Sequence, residues 1–151
     1  MMTMYPELKY QKLDPEAPDL GYAKPNDAGI DLCSMESVDI APQGTVKVKS
    51  GIKMEIPEGF FGQLVPRSGI STKRGITITN SPGTIDASYR GEVIIALYNK
   101  STEMQHVDRL ERVCQIIIQP YANVIPIEVD ELSETERGES GFGSSGTMGR
   151  L

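Results

Sequence analysis

Proline and glycine interrupt this chain too often for long helices. They stand at Pro42 and Gly44, Gly51, Pro57 and Gly59, Pro66 and Gly69, Gly75, Pro82 and Gly83, Gly91, Pro120 and Pro126. Proline inside a helix removes a hydrogen bond and clashes with the preceding turn, and glycine carries the largest backbone entropy cost. The runs between them have strand character. Within residues 45–56, Val46, Val48, Ile52, Met54 and Ile56 share one parity, and Lys47, Lys49, Lys53 and Glu55 share the other. A period of two describes a strand with one buried face, here bent at Gly51. Residues 112–118 differ, because their apolar side chains are nearly continuous. Such a run is expected to be buried on both faces, by a second sheet or a neighbouring subunit. Many short strands predict an all-β chain, a jelly-roll β-sandwich or barrel with at most one short helix.

Residues 76–92 organise the rest. They begin as an alternating β-branched strand, Ile76 to Thr79, and break at Asn80-Ser81-Pro82-Gly83. Pro82 followed by Gly83 predicts a type II turn, with Gly83 supplying positive φ. The chain resumes as the apolar run Val93 to Tyr98. The result is a hairpin whose tip carries Asp86 and Tyr89. At Gly83 no side chain blocks the approach of a flat ligand edge. Taken alone, Asp86 reads as a solvated turn residue.

At 151 residues, the chain is expected to hold one domain with a proper core. No apolar run approaches the roughly 20 residues of a membrane span, and residues 1–10 lack a basic region followed by an apolar one, so no secretory signal and no membrane partner are expected. Cys33 and Cys114 have no metal-ligand spacing and read as reduced core residues of a cytoplasmic protein. The net charge of -6 argues against nonspecific nucleic-acid binding, which needs a basic face. A small anion could still bind where arginines, backbone amides or a metal ion cluster locally. His106, the only histidine, lies in a segment, 101–106, that reads as a surface loop and carries no catalytic role. Catalytic triads, Cys-His dyads and zinc sites thereby lose their ligands.

Residues 1–26 are polar and proline-rich, and their first half is read as an edge strand. In Asp27-Ala28-Gly29-Ile30-Asp31-Leu32 the small residues allow close backbone approach. Asp31 either points to solvent or faces inward to orient a metal-bound water. At Pro66-Arg67-Ser68-Gly69 a strand ends, and a helical turn is expected through Thr72 to Arg74. A guanidinium, a hydroxyl and free N–H groups make an anion site; the plainer reading has Ser68 as an N-cap. Residues 133–151 show no hydrophobic periodicity and read as a flexible arm on a 1–132 domain. Yet Arg137 and Phe142 stand among glycine and serine. Such backbone can wrap phosphates, Arg137 can grip a terminal phosphate, and Phe142 can stack on a base.

Five segments thus follow in order: Ala28 to Leu32, Pro66 to Gly69, Gly83 to Gly91, Arg112 to Gln115, and Arg137 to Gly146. In that order they resemble the five motifs of the trimeric dUTPases, over nearly the whole chain. The resemblance implies a jelly-roll homotrimer with active sites shared between subunits, hydrolysing dUTP to dUMP and pyrophosphate with Mg2+. It makes Asp86 the base that activates water for attack on the α-phosphorus, and Tyr89 the ring that excludes a 2′-hydroxyl. Asn80 and the Gly83-Thr84-Ile85 backbone would pair with uracil, with Ile94 lining that pocket. Arg67, Ser68, Gly69 and Gln115 would contact phosphates. Asp31 would hold magnesium through water. Arg137 would meet the γ-phosphate and Phe142 the uracil, while Gly143, Ser144 and Ser145 wrap the phosphates.

The chain departs from that pattern at Asp27, where a small polar residue is usual, at Cys114, usually alanine, and at Ser140, usually glycine. None is a reacting group. Arg112 matches a family arginine and is assigned an interface or structural role. Two competing readings share the fold: a dCTP deaminase or bifunctional relative, and a dUTP-responsive regulatory protein. The hairpin with Tyr89 and the arm argue against the first, and Asp86 argues for turnover.

Overall fold

The computed structural model describes residues 5–143, 145, 146, 148 and 149. Along the chain run β1 (Lys9–Lys12), β2 (Ile30–Cys33), β3 (Val38–Ile40), β4 (Thr45–Glu55), β5 (Phe60–Pro66), α1 (Ser68–Arg74), β6 (Ile76–Ile78), β7 (Gly83–Ile85), β8 (Glu92–Asn99), β9 (Gln105–Val107) and β10 (Arg112–Pro120). They form two four-stranded antiparallel sheets, β1-β4-β8-β6 and β2-β10-β5-β7, and a small β3-β9 pair. This is the all-β, single-helix jelly roll that the punctuation predicts.

The period of two in β4 sets the core. Val48, Ile52 and Met54 are buried while Lys47 and Lys49 face solvent. Beside them in the same sheet stand Ile76, Ile95 and Leu97, and the other sheet supplies Leu32, Leu64 and Ile116, all nearly inaccessible. Each such side chain contributes about 1.5–3 kcal/mol by leaving water. The bend expected at Gly51 is a bulge. Its φ is 70°, and the β4–β8 register shifts between Lys49 and Lys53. Asn99 is fully buried and fully used: its amide donates to Ile40 O and Glu103 O, and its oxygen accepts from Ser101. A buried amide left unpaired is costly, which is why all its partners are present.

Three local expectations are corrected. First, residues 80–83 form no type II turn. β6 does pair with β8, Ile78 opposite Leu97, so the hairpin arms meet. Between them, however, the chain crosses to the other sheet, where β7 pairs with β5. The Ser81–Pro82 bond is cis, and Gly83 has no positive φ. Space there is tight instead, since a Cβ would lie 3.3 Å from Leu64 Cβ and 3.4 Å from Asn80 Nδ2. Second, Ser68 is not the N-cap. Extended Arg67 holds that position without a side-chain cap bond, and Ser68 is the first helical residue. Gly75 ends the helix at φ 69°, its N–H shared by Ile70 O and Ser71 O. Third, His106 lies in a strand, opposite Asp39; three polar-flanked residues carry too little periodicity to announce one. Within this one chain β10 is buried chiefly on its core face, with Val113, Cys114 and Ile116 buried and Ile117 half-buried, so cover on its second face falls to the neighbouring subunit that the sequence reading allowed.

Candidate functional site

β2, β10 and β5 lie side by side, and their ends build a cleft. Gln115 crosses it. Its Nε2 donates to Pro66 O at 3.1 Å, and its Oε1 lies where a Cβ on Gly29 would be, 2.1 Å away. A side chain at position 29 would push that amide out of its present place. Arg67 Nε donates to Asp31 Oδ1 at 2.8 Å and Arg112 Nη1 to Asp31 Oδ2 at 3.3 Å. Arg67 Nη1 also donates to Arg112 O at 3.3 Å. One carboxylate therefore orients two guanidinium groups and leaves one positive charge in excess. Asp31, Arg67, Ser68, Gly69, Arg112 and Gln115 line this cleft of about 390 Å³, with Lys24 and Asp27 on its rim. A cavity with fixed, forked donors suits a compact anion.

The second part is the hairpin tip. β7 is the outermost strand of its sheet. One side of its backbone pairs with β5, Gly62 to Ile85 through Leu64 to Gly83. The other side keeps free N–H and C=O groups. Beyond it, Tyr89 N donates to Asp86 O at 3.0 Å, closing a tight turn. Tyr89 Oη donates to Glu92 O at 2.9 Å. Asp86 is exposed, and none of the ion pairs among the described residues involves it. Thr84, Asn80 and Ile94 are exposed on the same hairpin. Leu64, the partner of Gly83, lies on β5, and Arg67 follows directly on that strand's end, so hairpin and cleft share a support.

The arm stands apart. Every described residue from Tyr121 onward is exposed. Arg137 Nε donates only locally, to Ser140 O at 2.8 Å. Phe142, Gly143 and Ser145 are exposed, and Ser144 lies outside the described residues. Thus Asp31, Arg67, Ser68, Gly69 and Gln115 meet in one cleft, Asn80, Gly83–Asp86, Tyr89 and Ile94 share the hairpin, and the arm joins neither within one chain. Arg112 does more than the sequence suggested, as a direct partner of Asp31. The cause is a bulge in β10 between Arg112 and Cys114, which no residue pattern reveals. The cysteines are inert: burial pushes the Cys114 thiol up to about 12 and raises that of Cys33, far from nucleophilic thiolates.

Fold and site define a jelly-roll protein with an arginine-lined cleft suited to a compact anion and a hairpin that presents a carboxylate in no ion pair among the described residues. The family model described as dUTPase matches residues 15–146. The deoxyuridine 5′-triphosphate nucleotidohydrolase of Alkaliphilus metalliredigens is 47% identical over 83% of this chain and 87% of its own. That of Clostridium kluyveri is 44% identical over 94% of this chain and 99% of its own. The structure of the Staphylococcus bacteriophage 80alpha dUTPase with dUpNHpp superposes with a TM-score of 0.83 at 31% identity, covering 93% of this chain and 99% of that one. The chain belongs to the dUTPase family and is a dUTP nucleotidohydrolase.

Proposed function

We propose that this chain hydrolyses dUTP to dUMP and pyrophosphate, with Asp86 as general base, in the cytoplasm, where it keeps uracil out of DNA and supplies dUMP for thymidylate synthesis. The observation that carries the mechanism is the exposed Asp86 carboxylate, paired with no cation, at the end of a hydrogen-bonded turn. It takes a proton from water as the water oxygen bonds to the α-phosphorus. The bond from that phosphorus to the bridging oxygen breaks, and pyrophosphate leaves. Positioning and charge stabilisation suffice for such a transfer, and no covalent nucleophile is needed. The open edge of β7, Gly83 to Ile85, and the Asn80 amide read the uracil edge, and Ile94 closes the pocket. Tyr89 covers the deoxyribose. Arg67, Ser68, Gly69 and Gln115 take the phosphates. Arg137, Phe142 and the 143–145 backbone close over the bound nucleotide, the 133–151 arm completing a site that the 1–132 domain begins.

Magnesium fits this donor set in one way. Among the described residues no cluster of His, Cys, Asp or Glu could hold a metal directly. Both oxygens of Asp31 already accept from arginines. Asp31, oriented by two arginines, would hold magnesium through water, which suits an ion that gives up its hydration reluctantly. Bound so, Mg2+ would offset triphosphate charge in an acidic protein.

Assembly is part of the proposal. Val124, Ile125, Ile127 and Leu132 are 77%, 87%, 78% and 87% exposed, more apolar surface on one short segment than a solitary chain needs. Ile117 on β10 is incompletely covered too. A closed homotrimer, in which the site of one chain receives the arm of another, covers these residues and unites the three parts. Sedimentation should give a trimer mass, and a fully active monomer would contradict this. Pyrophosphate release from dUTP, dCTP, dTTP and UTP, with ammonia measured for dCTP, tests the activity. Release from dUTP alone is expected, and ammonia from dCTP would point to the deaminase reaction.

A further inference from the structure

We infer that Gly91 and Glu92 are positioning residues for sugar selectivity, holding the Tyr89 ring in place; the inference rests on the role proposed above for Tyr89. The ring needs an explanation, because it is 44% exposed and no core residue clamps it. Two contacts fix it. Its hydroxyl donates to Glu92 O at 2.9 Å. Its far end lies directly on Gly91: a Cβ there would be 2.4 Å from Tyr89 Oη, 2.6 Å from Cζ and 3.0 Å from Cε2.

Gly91 is not in the left-handed region, so its backbone suits any residue. What position 91 requires is the absence of a Cβ. Glu92 is itself anchored. Its Oε1 accepts the Gly51 N–H at 2.9 Å, and Gly51 O accepts from Leu13 N at 2.7 Å. Glu92 also pairs with Lys53 across the β4 bulge. The bulge thus fixes the carbonyl that fixes the hydroxyl, and Gly91 sets the height of the ring.

A methyl group at position 91 must therefore lift the end of the ring. That end belongs to a flexible side chain with solvent beside it, so the fold tolerates the shift. The ring, though, no longer lies where it closes the space around the 2′ carbon, and a hydroxyl gains room. Steric discrimination of this size is worth about tenfold or more.

The test compares kcat/KM for dUTP and for UTP, with melting temperatures, in Gly91→Ala, Tyr89→Ala, the double variant and Tyr89→Phe. Gly91→Ala should melt close to the wild type and narrow the dUTP preference by about tenfold. The double variant should be no less selective than Tyr89→Ala alone, since Gly91 acts through the ring. Tyr89→Phe should narrow the preference less, as the ring keeps its seat but loses its tether. If Tyr89→Ala narrows the ratio and Gly91→Ala does not, the inference falls while the role of Tyr89 stands. If neither does, that role falls too. A Gly91→Ala protein that does not fold also overturns the inference, because the strain was then not taken up by the ring. An unchanged ratio in Tyr89→Phe removes Glu92 from the account.

Discussion

The hairpin between β6 and β8 and the tail after Pro120 are both poor in regular structure, yet they are constrained very differently. The hairpin is tied at each step: β7 is laddered to β5, Tyr89 closes on Asp86, its hydroxyl reaches Glu92, and Arg90 Nη1 bonds Ala87 O at 2.6 Å. Beyond Tyr121, whose N–H bonds Gly59 O at 3.1 Å, the described residues of the tail bond only to one another, as in Gly138 to Thr135 and Ser140 to Arg137. One half of the site is built before ligand arrives. On the reading proposed above, the other is ordered by the ligand, against the large conformational entropy of a glycine-rich chain. That reading puts catalysis and selectivity in the first half, and closure in the second.

Asp86→Asn breaks the built half with the smallest change in shape. Turnover should fall by ~10²-fold or more, the scale of a lost general base, while binding of dUpNHpp survives in calorimetry. Near wild-type turnover would place the base elsewhere.

Ending the chain after Leu132 removes the other half. The domain should stay folded with an unchanged melting temperature, while pyrophosphate release drops on the order of 10–100-fold, as expected when a substrate is no longer held for attack. A truncated protein as fast as the full chain would make the arm a passive tail, and one that cannot fold would make it core. Phe142→Ala should be milder. Loss of one base stack is worth about 1–2 kcal/mol, so kcat/KM should fall by roughly tenfold; no change would leave the phenyl ring without a function.

The smallest expected effect lies away from both halves. His106 bonds Asp39 at 2.6 Å and Asp108 at 3.2 Å. The Asp39 hydrogen bond, then the two negative charges, raise its pKa above the ordinary value. A raised pKa gives stability that is fully present below the unfolded value and lost as pH climbs through the folded one. His106→Gln should thus melt slightly lower than wild type near pH ~5.5 and equally near pH ~9. Turnover should be unaffected at both, and a loss there would reopen the catalytic question for His106.

Sequence and structure agree where periodicity is long. The two faces of β4 could be read from its lysines and valines, and even its bulge from Gly51. The order of the five motif segments was equally visible, because most of them join a glycine or proline signal to a polar or charged residue. The crossing of β7 to the second sheet was not, since Gly83-Thr84-Ile85 is too short for a period and its partner β5 is chosen by tertiary packing. Nor was the Arg112–Asp31 pair, which depends on the bulge in β10. Of the arm, composition revealed the lack of a core but not where its residues bind.

Amide hydrogen exchange, followed with and without dUpNHpp, tests the division most directly. The account predicts that the β7 amides that pair with β5, and the Tyr89 amide that closes the turn on Asp86, are protected in both states. Those of residues 133–146 should exchange freely alone and become protected when the analogue binds. An arm already protected without ligand, or one still unprotected at saturation, would contradict it.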